Sequence, residues 1–129
     1  MIFFLKKYEI GDIVFVSKYE YKDGKTGKNH LFVIIDVDDE QLIPIEYFGL
    51  IVSSHREKAN SKSRFKFNEL LKKNKINNLN VDSIVKCDQL YRIPKKNIKF
   101  KIGSVDIDDF VRFINSYENY LNNFEINAR

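Results

Sequence analysis

Runs of apolar residues predict strands in the first half of the chain. Residues 13–16 (IVFV) are β-branched or aromatic, and residues 18–21 extend this strand by alternation. Residues 31–35 (LFVII) form a continuous apolar run, which is typical of a central strand. Residues 23–29 lie between the two and contain two Gly among polar residues. This composition predicts a loop, and hence two strands joined by a turn.

The middle of the chain predicts three further strands. Residues 42–47 and 49–54 are interpreted as separate strands, and Pro44 restricts the first to a sheet edge or a bulge because it cannot donate to a ladder. Residues 67–73 predict one short helix or turn, residues 74–80 a loop, and residues 82–90 a strand that closes at Pro94. Strands this close in sequence favour antiparallel hairpins.

The last segment has the spacing of an amphipathic helix. Asp106 is a good N-cap, and the carboxylate of Asp109 suits the helix N-terminus. The apolar positions at helical spacing are Ile107, Phe110, Val111, Ile114, Tyr117, Leu121 and Phe124. We expect this face to pack on the sheet. The prediction is therefore a single domain over residues 1–129, mainly β (α+β), in which a small barrel of antiparallel strands carries a C-terminal amphipathic helix.

Composition places the chain among soluble globular proteins. A hydrophobic fraction of 43% is too high for a disordered chain. A single cysteine, Cys87, excludes an internal disulfide and favours a reducing compartment. No apolar stretch approaches the roughly 20 residues of a membrane span, and no signal-peptide cleavage site follows the start. We expect a cytoplasmic protein with no membrane association.

Positive charge is concentrated in two segments. The net charge of +4 is compatible with a nucleic-acid partner. Residues 56–75 contain eight Lys or Arg against two Glu, and residues 92–101 contain five Lys or Arg and no acid. Solvated surface in a Lys- and Asn-rich chain is the alternative interpretation.

The ionisable residues favour chemistry without a metal. Two isolated His, one Cys and an acidic cluster without the Ca²⁺-loop pattern give no metal site, and no Gly-rich loop leads into a helix. We therefore predict no metal and no cofactor. His30 and His55 can exchange protons near neutral pH, while Lys28, Arg56, Ser53 and Ser54 can hold phosphate oxygens. These groups suit cleavage of RNA by its own 2′-OH, although a lone His at a strand end is more often a surface residue.

Several segments together resemble the PemK/MazF family of toxins from type II toxin–antitoxin systems. Residues 11–16 (GDIVFV) are similar to the family's opening strand, and residues 23–35 to its loop and second strand. Residues 82–93, which include Gln89, are similar to its late strand, and residues 101–104 lead into a helix like the family's last element. The resemblance covers the chain from about residue 8 to residue 121.

This resemblance implies an SH3-like barrel, a homodimer, and cleavage of single-stranded RNA by an endoribonuclease that a cognate antitoxin inhibits. By position, His30 takes the place of the family's catalytic Arg, and Ser53 and Ser54 take the place of its hydroxyl. Those three are the predicted catalytic residues. The predicted RNA-binding residues are Lys25, Lys28, His55, Arg56, Gln89 and Arg92.

One departure from the family pattern leaves the activity open. His30-Leu31 replaces the Arg-Pro pair, and an imidazole titrates where a guanidinium stays charged. Either His30 takes over acid–base work, or Lys28 or Arg56 supplies the charge, or the protein binds nucleic acid or a protein partner without cutting. Apart from the nuclease and the binding-only hypotheses, the chain could be an interaction protein that uses the Pro44 edge strand and the apolar residues 2–4 to bind a protein partner.

Overall fold

The computed structural model describes residues 7–38, 44–54 and 67–128, with side chains up to residue 123. Within these ranges the chain forms a mainly β structure with one C-terminal α-helix, as predicted. The elements are β1 (Asp12–Glu20), β2 (Thr26–Val37), β3 (Glu46–Ser53), β4 (Asn68–Leu71), β5 (Ser83–Pro94), a 3₁₀ turn (Lys95–Asn97), β6 (Ile98–Ser104) and α1 (Ile107–Ala128).

The six strands form one antiparallel sheet in the order β4-β5-β3-β2-β1-β6. The central strands are apolar on both faces, which explains the continuous apolar run in β2. Phe32 and Ile34 belong to one buried cluster, whereas Val33 and Ile35 belong to a second cluster on the other face. Strand side chains alternate between faces, so a strand buried on both sides loses the polar alternation of a surface strand.

The sheet is strongly curved around the first cluster. Tyr19 of β1 and Tyr91 of β5 meet with ring centroids 5.7 Å apart, although β2 and β3 lie between their strands in the sheet. The ladder does not close into the predicted barrel, because β4 and β6 stand at opposite ends of the order in the described part of the chain. Curvature thus brings strands together without a continuous ring of hydrogen bonds.

A loop after β4 bridges the gap to β6. Ser104 N donates to Ile76 O at 3.1 Å, and Asn78 Nδ2 donates to Ile102 O at 3.0 Å. A Cβ at Gly103 would lie 2.5 Å from Asn77 O, so only glycine allows the loop to approach this closely. The loop over residues 74–80 was predicted, and its contact with β6 was not.

Several predicted boundaries were wrong. The two strands expected over residues 42–54 are one strand, β3, which lies in the middle of the sheet, and Pro44 precedes it instead of lying on an edge. Residues 42 and 43 and residues 2–4 lie outside the described residues. Residues 67–73 contain β4 instead of a helix, β2 begins inside the expected loop at Thr26, and β6 was not predicted.

The helix was predicted correctly at its start and only partly in its buried face. Asp106 Oδ1 accepts a hydrogen bond from Asp109 N at 2.9 Å, which is the expected cap. Phe113, absent from the predicted face, is fully buried, and Phe110, Ile114 and Tyr117 pack around the second cluster. Three predicted core residues are exposed instead: Ile107, Val111 and Leu121. The described residues contain no helix with the length and apolar character that crossing a bilayer requires.

Candidate functional site

The start of β2 and the end of β3 form one wall of a cavity of about 300 Å³. Leu31 pairs with Val52 in this antiparallel ladder, so His30 and Ser53 occupy the next facing positions. The sequence-predicted catalytic residues His30, Ser53 and Ser54 therefore line one cavity. The other described residues that line it are Phe15, Asn29, Leu31, Val52, Leu79, Asn80, Val81 and Ser83.

The backbone just before His30 has an unusual conformation. Asn29 has a φ of 55°, in the left-handed region that few residues other than Gly, Asn and Asp adopt readily. The His30 ring lies edge-on to the ring of Tyr19, at a centroid distance of 6.1 Å, and also contacts Phe32 at 6.2 Å. The His30 ring is thus held against two buried aromatic rings, and His30 is also one of the residues that line the cavity.

The backbone of Leu31 can serve either charge state of His30. Its N–H lies 3.1 Å from His30 Nδ1, and because an N–H only donates, Nδ1 accepts in the neutral ring and Nε2 carries the proton. The carbonyl oxygen of Leu31 lies 3.4 Å from the same Nδ1 and can accept a hydrogen bond from it when the ring is cationic. Nε2 can donate to a bound group in both states.

The two serines differ in exposure. Ser53 is the last residue of β3 and is 5% exposed, whereas Ser54 follows it at the exposed rim. A third serine, Ser83, directs its hydroxyl to Val81 O at 3.1 Å and is engaged locally. Hydroxyls at two depths beside one imidazole can contact different oxygens of a phosphate.

The described wall of this cavity has no formal charge apart from His30. No Lys, Arg, Asp or Glu is among its lining residues within the described ranges. Lys28 pairs with Lys18 across β1 and β2 and does not line the cavity. His55 and Arg56 lie outside the described residues. Of the two predicted charge donors, Lys28 is therefore not in the described wall.

Gln89 and Arg92 lie in a second, larger cleft of about 590 Å³. None of its described lining residues is shared with the His30 cavity. Lys25 lies in the turn before β2, where its backbone N–H donates to Asp23 Oδ1 at 3.0 Å, and lines neither cavity. The predicted RNA-binding residues are thus distributed over different surfaces.

The aromatic lining of this cleft was missed by sequence reasoning. Tyr19, Tyr21 and Tyr91 all line it. Residues 18–21 were interpreted only as an extension of β1, and nothing in the sequence links them to Tyr91, some 70 positions later. The one signal for this lining in the sequence was the pair of tyrosines in residues 18–21, close to lysines.

The described residues offer neither a metal-binding group of side chains nor a reactive thiol. Within residues 7–38, 44–54 and 67–128, no three His, Cys, Asp or Glu side chains group in a way that could hold a metal ion. Cys87 is buried in the second cluster, and this burial raises the pKa of its thiol to about 12. A thiol so rarely ionised is a poor nucleophile near neutral pH.

Comparison with known proteins relates this chain to a family. The sequence profile of the PemK-like, MazF-like toxins of type II toxin–antitoxin systems matches residues 9–114. This chain belongs to that toxin family. The match spans β1 to β6 and includes both cavities. No curated protein matches the chain in sequence.

Solved structures show the family fold independently. The Mycobacterium tuberculosis toxin MazF-mt6 superposes with a TM-score of 0.61 over 86% of this chain and 96% of its own, at 14% sequence identity. At this identity the likeness establishes the fold alone. The MazF-like fold predicted from the sequence is thereby confirmed.

Proposed function

We propose that the protein is a metal-independent endoribonuclease that cleaves single-stranded RNA and acts as the toxin of a toxin–antitoxin pair. One observation carries the proposal: His30, Ser53 and Ser54 line one cavity, although His30 lies in β2 and the two serines lie at the end of β3. Family membership supports the toxin role. The chemistry rests on what these three side chains can do to a phosphodiester.

In the proposed reaction the 2′-OH attacks the adjacent phosphorus, forming a 2′-O–P bond while the P–O5′ bond breaks. His30, in its cationic form, gives its Nε2 proton to the departing 5′ oxygen and is left neutral with its proton on Nδ1, against Leu31 O. Proton exchange with water then returns the ring to the Nε2–H tautomer that the Leu31 N–H favours. Ser53 and Ser54 donate to the non-bridging oxygens as charge builds there. The products are a 2′,3′-cyclic phosphate and a 5′-OH.

The base that accepts the 2′-OH proton is proposed to be His55, which follows Ser54 directly in the sequence. It begins the reaction neutral and ends it cationic, the reverse of His30. Two imidazoles in opposite charge states give a bell-shaped dependence of activity on pH.

A second candidate is a toxin-family domain that binds RNA without cleaving it. The described wall of the His30 cavity contains no Lys or Arg, which favours this alternative, because a titrating imidazole is charged only part of the time whereas a guanidinium stays charged. Binding by such a domain weakens with salt because each phosphate contact releases counterions.

The proposed partners are single-stranded RNA and a cognate antitoxin that blocks the RNA site. A homodimer in the cytoplasm is part of the same proposal. Copurification of the chain with the product of an adjacent small reading frame, and loss of RNA cleavage in that complex, are the expected results.

The proposal is tested by incubating the purified protein with a long single-stranded RNA in EDTA. We expect discrete fragments ending in 2′,3′-cyclic phosphates. His30→Ala should reduce the rate by about 10²- to 10⁴-fold, the usual contribution of a positioned acid or base. Ser53→Ala should also slow cleavage, through loss of a phosphate donor.

Ser116→Ala is the matched control for Ser53→Ala. Ser116 is also buried, but it lies on α1 and bonds to Phe67 O at 3.3 Å, away from the cavity. Parental cleavage by His30→Ala and Ser53→Ala would contradict the site assignment. Intact RNA with folded parent protein would favour the binding-only candidate.

A further inference from the structure

The larger cleft combines exposed aromatic surface with positive charge. It lies between the β1–β2 hairpin and the end of β5. Four described lining residues are cationic (Lys18, Lys22, Arg92 and Lys96), and one, Glu20, is acidic. The side chain of Arg92 is 70% exposed, and its Nε pairs with Glu46 Oε2 at 3.1 Å. This excess of positive charge favours an anionic ligand.

The floor of the cleft is a set of three tyrosines whose rings are in contact. Tyr19 and Tyr91 are each 5% exposed and meet edge-to-face, whereas Tyr21 at the rim is 39% exposed. The Tyr21 ring contacts Tyr19 at 5.3 Å and Tyr91 at 6.3 Å, and the hydroxyls of Tyr19 and Tyr21 lie 3.1 Å apart. One exposed ring is thus fixed in orientation by two buried ones.

The two buried hydroxyls, those of Tyr19 and Tyr91, remain neutral over the physiological range. Burial raises the pKa of Tyr91 to about 12 and also raises the pKa of Tyr19, which in addition hydrogen-bonds to Tyr21. The aromatic floor therefore brings no negative charge that would repel a phosphate. A flat neutral ring beside lysines suits a ligand that is both planar and anionic.

A nucleotide of a single strand has both properties. Its base can stack on Tyr21, and its phosphates can lie near Lys18 and Lys96, the arrangement by which single strands are commonly held. Gln89 lies in the same cleft and can both donate to and accept from the edge of a base. An acidic peptide would satisfy the lysines but would leave the fixed ring unused.

Tyr19 links this cleft to the cavity with the catalytic candidates. Its ring contacts Tyr21 and Tyr91 on the cleft side and meets the His30 ring at 6.1 Å. One lining residue of the cleft is thus in direct contact with one lining residue of the His30 cavity.

We propose that the cleft around Tyr21 is a base-stacking subsite that holds a nucleotide of the RNA strand beside, but not at, the cleavage position. This proposal rests on the proposed RNA substrate and deepens it. The subsite provides affinity and, through Gln89, a preference for the base, while the His30 cavity performs the chemistry.

The test measures binding of a short single-stranded oligoribonucleotide that is 2′-O-methylated throughout and therefore cannot be cut. Tyr21→Ala should weaken binding by about 5- to 150-fold, the range for one lost base stack. Tyr21→Phe should bind nearly as the parent does, because the ring remains and only the hydroxyl contact with Tyr19 is lost. Replacing one base by 5-iodouridine should give a photochemical crosslink to Tyr21.

The possible outcomes separate this proposal from the proposed function. Equal affinity of parent and Tyr21→Ala would overturn the subsite and leave the nuclease proposal intact. A folded parent that neither binds nor cuts RNA would overturn both. Polyglutamate that binds to the parent in competition with the oligonucleotide, with RNA affinity unchanged in Tyr21→Ala, would assign the cleft to an acidic peptide and overturn the proposal.

Discussion

The two cavities of this protein differ in the side chains that they offer. The described wall of the His30 cavity contains hydroxyls and one imidazole, with no Lys or Arg. The Tyr21 cleft contains four cations and three tyrosines, and no imidazole among its described lining residues. Groups that move protons are thus separated from groups that hold a polyanion. We therefore expect that separate substitutions can abolish RNA binding and RNA cleavage independently.

The largest predicted effect of a backbone change concerns Gly103. In Gly103→Ala the new Cβ meets Asn77 O, so the loop that carries Leu79, Asn80 and Val81 must shift in the His30 cavity wall. Small misplacements of a reacting group are costly, and we expect cleavage to fall about 100-fold. Binding of the methylated oligonucleotide should change little, since this loop does not line the Tyr21 cleft in the described structure.

Kinetics and circular dichroism together check this prediction. An equal loss of rate and affinity in folded Gly103→Ala would show that the two sites are not independent. Lys75→Ala is the matched control, because Lys75 is an exposed residue of the same loop and lines neither cavity.

An intermediate effect is predicted on alkaline stability. Burial raises the folded-state pKa of Tyr91 from 10.0 to about 12. Between these values the unfolded chain loses the proton and the folded chain keeps it, so stability is fully present below about pH 10 and falls as the pH rises through 12. The loss due to Tyr91 should be about 1 to 3 kcal/mol.

Urea unfolding at pH values from 8 to about 12 measures this loss. Tyr91→Phe should have a shallower decline in the free energy of unfolding than the parent, because phenylalanine has no proton to lose. Cys87, with its thiol pKa raised to about 12, adds a decline of the same sign. Parallel curves for parent and Tyr91→Phe would contradict the burial of this hydroxyl.

The smallest predicted effect concerns the charge of the cleft. Lys96→Ala should weaken RNA binding only a few-fold and lower the slope of log K against log salt by about 1, the signature of one lost phosphate contact. Lys73→Ala, an exposed lysine that lines neither cavity, should leave the slope unchanged. Equal slopes for the parent and Lys96→Ala would show that Lys96 makes no contact with an RNA phosphate.

The sequence predicted those parts of the fold that depend on local pattern. β1 and the core of β2 follow from apolar runs, and the start of α1 follows from the Asp106 cap. Gly49 was predicted to begin a separate strand, yet it lies inside β3, where a Cβ would come within 2.8 Å of Val33 O. β4 is only four residues long, and the alternating lysines of β6 concealed its strand pattern.

The resemblance named His30 and Ser53 as candidates by position, but the sequence did not predict that they lie close together. Their proximity follows from the β2–β3 register. The Tyr21 cleft had no such guide, because Tyr19 and Tyr91 meet only when the sheet curves. Sequence alone does not specify that curvature, which depends on packing of the buried clusters on both faces.

The most direct test of the division between chemistry and binding compares His30→Ala with Tyr21→Ala on the same RNA. Single-turnover cleavage at saturating protein gives the rate of the chemical step, and the methylated oligonucleotide gives Kd. The account predicts that His30→Ala loses the rate and keeps the Kd, whereas Tyr21→Ala keeps the rate at saturation and loses affinity. If His30→Ala instead cleaves at the parental rate, or if both variants lose rate and affinity together, the assignment of chemistry to one cavity and binding to the other is contradicted.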